Sequence, residues 1–182
     1  MSFSRVRSLI VFGVLLVAAL VVVIVAVSRD TQNGPLADAC KGAVMVNATL
    51  PRGTSDVTVK VYNGTGRAGV ASALTNDLKN RGFATQKPGE SKSHIDDVAI
   101  VRYGPKALSS AWLLRAFFLN QTKQEYDPKR TSATVDVIVG RGYQQLATPT
   151  EVNQSLAALG DPVLPPGSCA APKKEVAAQA GS

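Results

Sequence analysis

Residues that carry chemistry are scarce in this chain. One histidine, His94, and two cysteines, Cys40 and Cys169, stand among 182 residues. A zinc site needs three or four closely spaced Cys, His or carboxylate ligands, so these residues argue against a metal centre. Acid–base or nucleophilic catalysis needs a nucleophile beside a base, or two facing carboxylates. His94 sits in a Ser-Lys-Ser-His stretch that reads as a solvated loop. Asp96 and Asp97 are adjacent and point in different directions, and Asp136 is alone on its side of a strand. Ser72, Ser109 and Ser110 have no partner histidine. No catalytic group assembles, and the chain is read as non-enzymatic and without a cofactor. Aromatic residues make up only 5%, and the net charge of +7 is dispersed rather than gathered into a Lys/Arg stripe. Nucleic acid is therefore not an expected partner. The excess supports weak attraction to anionic headgroups or acidic wall polymers and nothing stronger.

Charge is missing altogether from Leu9 through Val27, a run rich in Val, Leu, Ile and Ala. At about 1.5 Å per helical residue it reaches roughly 28 Å, close to the hydrocarbon thickness of a bilayer. Arg5 and Arg7 precede it, whereas Arg29 is offset at once by Asp30. The stronger upstream cation count predicts a cytoplasmic N-terminus (1–8), a single transmembrane helix (9–27) and an extracytoplasmic remainder at the cell membrane. A cleaved leader is the rival reading. Its apolar core would be long for that role, and Val25-Ala26-Val27 is a poor cleavage signal. In an oxidising compartment an isolated cysteine pair is read as bridged, with two free thiols as the alternative. A Cys40–Cys169 bridge would pin stalk and tail together at one end of the domain.

The most informative stretch runs from Val57 to Phe83. Val57, Val59 and Val61 alternate with Thr58, Lys60 and Tyr62, as a strand with one buried face requires. Asn63-Gly64-Thr65-Gly66 then turns the chain. Val70, Leu74 and Leu78, with Ala71, mark one face of a helix. Gly82 supplies a left-handed stop, and Phe83 restarts extended chain. Further strands are expected at 83–87, 97–103 and 134–140, the last with Val135, Val137 and Val139 inward. A second helix follows Gly104-Pro105, with Ala107, Ala111, Leu114 and Phe118 on its buried face. Trp112, Phe117 and Phe118 are read as core rather than as a binding box. Residues 120–132 are polar and basic and read as a mobile loop. A short helix capped by Thr150 is expected to carry Val152, Leu156 and Leu159.

The expected fold is α/β, a two-layer α+β sandwich in the order β-α-β-β-α-β, built from two similar split halves with both helices on one sheet face. Its organisation is a stalk with a candidate edge strand (28–54), the main domain (55–143), a C-terminal flank closed by the disulfide (144–171) and a disordered tail (172–182). Thr58, Lys60, Tyr62, Arg102 and Asp136 fall on the other sheet face. The Gly64-Thr-Gly-Arg-Ala-Gly69 turn admits an anion-site reading, since helix N-termini offer free N–H groups and Arg67 adds a cation. It lacks the Walker Lys-Ser/Thr and a ribose-binding acid, and a plain tight turn is the simpler reading. The candidate ligand or partner surface is Tyr62, Asn63, Gly64, Thr65, Arg67 and Arg102.

Three motifs, Val61-Tyr-Asn-Gly-Thr65, Arg81-Gly-Phe83 and Val137-Ile-Val-Gly-Arg-Gly-Tyr143, resemble the LytR C-terminal domain family over roughly residues 55–143. In many relatives this domain follows a LytR-CpsA-Psr phosphotransferase that joins polymers to the cell wall. No such catalytic domain is recognised here, so the resemblance implies only the accessory module. Single-anchor members of this kind are linked to envelope integrity and virulence. The favoured expectation is a non-catalytic scaffold that contacts wall-ligating enzymes. The second is a peptidoglycan, wall-glycan or lipid-binding module, because the same element order also resembles the SPOR domain.

Overall fold

The computed structural model describes residues 13, 16–22 and 40–171. The chain divides into two units, Met1–Lys41 and Gly42–Ser182. In the first, residues 16–22 are helical, and Leu16, Val17, Leu20, Val21 and Val22 are all more than half exposed. The rest of the expected span 9–27 lies outside the described residues, as do stalk residues 28–39 and the tail 172–182. Among the described residues no helix is long and apolar enough to cross a membrane.

The second unit contains eight strands and three α-helices among its described residues. The strands are β1 (Val44–Val46), β2 (Thr58–Asn63), β3 (Ala84–Thr85), β4 (Gly89–Glu90), β5 (Ala99–Tyr103), β6 (Thr122–Tyr126), β7 (Val135–Val139) and β8 (Ser168–Ala170). The helices, here α1 to α3, span Val70–Asn80, Leu108–Ala116 and Pro149–Leu159. The main sheet has the order β3-β2-β7-β5-β6, with β4 also pairing β2. Strand β7 runs parallel to β2 and antiparallel to β5, while β3 and β6 run parallel to β2 and β5. Each β-α-β unit therefore joins neighbouring strands. This corrects the split arrangement expected from sequence: β7 is wedged between two intact units rather than within them.

The alternation read from β2 sets the layers. Val59 and Val61 lie beside Val135 and Val137 in register, and Val101 and Ala99 beside Val137 and Val139 on the opposite flank. All of these are fully buried in one apolar cluster that includes Ala71, Leu74 and Leu78 of α1 and Leu108, Ala111 and Leu114 of α2. Eight of the nine residues of α2 are buried, including Trp112. A helix apolar on all sides needs cover on all sides. The second cover comes from α3 and its approach, where Trp112 Nε1 donates to Gly160 O at 3.0 Å and Ala147 N to Phe117 O at 2.9 Å. Phe83 meets Phe117 edge-on at 4.8 Å, as the core reading of these aromatics expects.

Three further expectations are corrected. Residues 122–126 form strand β6, paired with β5 along its whole length, and are not a loop. Their polar side chains suit an edge position, where one face is open and backbone hydrogen bonds supply the order. Strand β1 pairs with β8 in a separate two-stranded sheet and is not an edge of the main one. Helix α3 is capped by Thr148 rather than Thr150. Thr148 accepts from Glu151 N while the Glu151 carboxylate accepts from Thr148 N at 2.7 Å, a complete capping box. Val152 is buried, and Leu156 and Leu159 pack against the core.

Candidate functional site: the open face of the sheet

The residues that alternate with the core valines form two rows across the other sheet face. Register places Lys60, Asp136, Arg102 and Glu125 in one row, and Tyr62, Ile138, Ile100 and Lys123 in the next. Among the described residues no helix covers this face. Its centre is nevertheless enclosed, because Asp136 and Ile138 are 8% and 4% exposed. Two loops reach over them. Arg130 Nη1 lies 2.7 Å from Asp136 Oδ2, and Ile95 from the 91–97 loop packs close to Ile138 above Gly64.

Outward from this centre the face is exposed and ionic. Arg102 Nη2 meets Glu125 Oε2 at 2.8 Å, and Lys123 Nζ meets Asp97 Oδ2 at 2.8 Å. The hydrogen-bonded Asp97 carboxylate holds the Lys123 ammonium above its usual range. Lys60 Nζ sits 5.0 Å from the centroid of the Tyr62 ring. Exposed pairs of this kind contribute little to stability, so they are free to exchange partners with a ligand. Beside them lies a shallow depression of about 570 Å³, with Ile100 and Ile138 among its lining residues and the 91–97 loop, Arg102, Lys123 and Glu125 around them.

The sequence-derived candidates separate into two groups. Tyr62 and Arg102 lie on this open face. Asn63, Gly64 and Thr65 do not; they form a closed turn whose polar atoms are satisfied internally. Asn63 Oδ1 accepts from Thr65 N and Thr65 Oγ1, Asn63 Nδ2 donates to Arg67 O, and Thr65 Oγ1 accepts from Arg67 N. Asn63 and Thr65 are 5% and 4% exposed. A Cβ on Gly64 would come within 2.9 Å of Val139 O, so glycine is required for close approach. The tight-turn reading accounts for these atoms, and Arg67 remains exposed beside the turn. His94 is exposed and lies against Gly66 at the rim of the depression.

Both cysteines, Cys40 and Cys169, are disulfide-bonded, and since the chain has no others they bond each other. Among the described residues no cluster of His, Cys, Asp and Glu is arranged to hold a metal ion.

Ile95, Lys123, Glu125 and Arg130 were not singled out from sequence, and Asp97 was considered only as a catalytic carboxylate. Lys123 and Glu125 carried a weak signal, since they alternate with Thr122, Gln124 and Tyr126 at period two. Ile95 and Arg130 carried none. They belong to loops, and only the fold brings them over the sheet.

The other two motifs also have structural explanations. In Arg81-Gly82-Phe83, Arg81 donates through Nη1 to Ala147 O and through Nη2 to Leu146 O, tying the C-terminal flank to α1. Gly82 has φ of +87°. In Gly140-Arg-Gly-Tyr143, a Cβ on Gly140 would fall 2.1 Å from Asp97 O. The bare backbone there lets Gly140 N, Arg141 N and Gly142 N donate to Val98 O, Ile95 O and Asp97 O.

These features define a small mixed α/β domain whose accessible feature is one uncovered sheet face. Residues 56–143, just under half of the chain, match the family described as LytR cell envelope-related transcriptional attenuator. The resemblance read from the three motifs is thus matched by a family model over residues 56–143. Curated proteins provide no significant match. A crystal structure of the soluble domain of a conserved hypothetical secreted protein from Mycobacterium marinum is similar at 20% identity and a TM-score of 0.46, over 79% of this chain and 90% of that one. Likeness at that level is not evidence of shared function.

Proposed function

We propose that this protein is a membrane-anchored, extracytoplasmic, non-catalytic module that supports cell envelope integrity and, through it, virulence. It acts as a scaffold for wall-ligating enzymes of the LytR-CpsA-Psr phosphotransferase type. The observation that carries the reading is the uncovered sheet face, where Arg102, Lys123 and Glu125 border an accessible depression. The family's description as cell envelope-related supports it, as does the uncharged run Leu9–Val27 behind two arginines. Photo-crosslinking side chains at Arg102 and Lys123 in cells should recover a phosphotransferase, whereas Lys79 on α1 should not. Equal recovery from both places would rule out this face as the contact.

The depression also favours a second reading, binding of wall glycan. Its lining combines Ile95, Ile100 and Ile138 with both donors and acceptors, which is what hydroxyl-rich ligands use. Retention of residues 40–182 on insoluble wall material, lost in Arg102→Ala with Lys123→Ala, would replace the scaffold reading with this one.

A further inference from the structure

A second surface, away from the residues just discussed, has the opposite character. Pro162-Val163-Leu164-Pro165-Pro166 is an uncharged segment that leads into β8. Val163 is 68% exposed and Leu164 38%. Strand β8 pairs with β1 so that Cys169 lies in register with Met45, itself 46% exposed. Ser168 N donates to Pro165 O and Val44 N to Gly167 O, so a tight turn joins the apolar segment to the start of this two-stranded sheet. Val163 and Leu164, just before the turn that starts β8, and Met45, in register with Cys169, are thus three of the five large apolar side chains exposed among the described residues of this unit, the others being Leu50 and Leu119. Isolated exposed apolar residues need no explanation, but a group gathered at one end does.

We propose that this end rests on the bilayer surface, with Met45, Val163 and Leu164 inserted at the level of the lipid headgroups. The occupant follows from the chain's own connectivity. If Leu9–Val27 spans the membrane, as proposed above, about a dozen residues separate the span from Cys40, a reach of at most roughly 40 Å. The tether enters the domain at Cys40, and Cys40 is bonded to Cys169, the register partner of Met45. The disulfide therefore makes the apolar end the part of the domain held closest to lipid. Tethering converts a weak surface affinity into a high local occupancy. The described charge next to the disulfide suits anionic headgroups: Lys41 is exposed there, and Asp161 is the acid at the far end of the segment. Valine, leucine and methionine beside a lysine suit an interfacial contact.

The test uses the full chain reconstituted into vesicles containing phosphatidylglycerol and lipids with brominated acyl chains. An added indole reports its own surroundings, while native Trp112, buried under Gly160, gives a constant background. The indole introduced by Val163→Trp or by Met45→Trp should be quenched by bromine at least about twofold more than one introduced by Lys129→Trp, and adding Leu164→Asp should remove the difference. Aqueous iodide should quench in the reverse order. Integration of the chain with equal iodide access at both positions overturns the lipid contact alone. Protection that depends on protein density and not on bromine means a second copy covers the patch, and also overturns it. Failure of the chain to integrate at all overturns the anchor and this inference together.

Discussion

Arg130 Nη1 lies 2.7 Å from Asp136 Oδ2, and with side chains 19% and 11% exposed this is the most enclosed ion pair among the described residues. Arg130 Nη2 also donates to Thr134 O at 3.1 Å. One arginine therefore neutralises a carboxylate at the centre of the sheet and fastens the connection between β6 and β7 above it. A charged residue on the central strand is tolerated because its partner arrives from a loop.

Arg130→Ala should accordingly destabilise the domain by about 2–3 kcal/mol, somewhat below the loss for a fully buried pair, because water still reaches this one. Removing both charges with Arg130→Leu and Asp136→Leu should restore most of that loss. Urea denaturation of residues 40–182 measures both. A double variant no more stable than the single one would mean that Arg130 acts by packing rather than by charge.

Two glycines should respond very differently to alanine. Gly140→Ala puts a methyl group 2.1 Å from Asp97 O and should cost roughly 3 kcal/mol or more, since backbone must move on both sides. Gly69 has φ of +84° with open space around its Cβ position, so Gly69→Ala should cost only about 1 kcal/mol of backbone strain. Similar losses at the two sites would contradict the close approach at Gly140.

Reduction of Cys40–Cys169 should lower the urea midpoint. The bridge closes a loop that contains the whole domain, so the chain-entropy model allows up to about 5 kcal/mol. A reduced protein with an unchanged midpoint would show that the closed loop contributes nothing to stability.

Burial pushes the Tyr143 phenol up to about 12, and its hydroxyl is buried without a hydrogen-bond partner among the described residues. The sign follows from linkage. With the folded value above the unfolded value near 10, this contribution to stability is complete below about pH 10 and is lost as pH rises toward 12. Tyr143→Phe should match or exceed the natural protein at neutral pH, by about 1 kcal/mol or less. It should also resist alkaline unfolding better across that window. A pH series of thermal midpoints checks the prediction, and an identical alkaline slope in the variant would disprove it.

The capping box ties stability to acid. Hydrogen bonds from the Thr148 backbone N–H and then its hydroxyl hold the Glu151 carboxyl below its usual range. Its contribution is therefore complete above the unfolded value and fades as pH falls through the folded one. Glu151→Gln should be less stable than the natural protein at neutral pH, with the gap closing in acid. A gap that stays constant down to low pH would exclude this carboxylate as its source.

How the sequence relates to the fold is clearest residue by residue. Val59, Val61, Val135, Val137 and Val139 were readable as inward positions because period-two alternation is a local property. The same holds for Ala71, Leu74 and Leu78 on α1. Asn63-Gly-Thr65, Arg81-Gly-Phe83 and Gly140-Arg-Gly-Tyr143 were legible as motifs, but their meaning was not. They are closures: a self-bonded turn, a clamp on the C-terminal flank, and bare backbone pressed against the chain before β5. Residues 122–126 carry a loop-like polar composition and yet form a strand, because an edge strand needs no apolar face of its own.

The amino-acid sequence by itself determined strands β2, β5 and β7 and helices α1 and α2, which of their residues face the core, and which family the central region resembles. Those properties rest on periodicity and on turn residues within a few positions of one another. Only the tertiary structure decided that β7 separates the two β-α-β units, that Arg130 and Ile95 roof the centre of the open face, and that Met45 meets Cys169. The reason is physical: strand order, loop reach and cross-sheet register depend on pairings between distant residues, which no local pattern encodes.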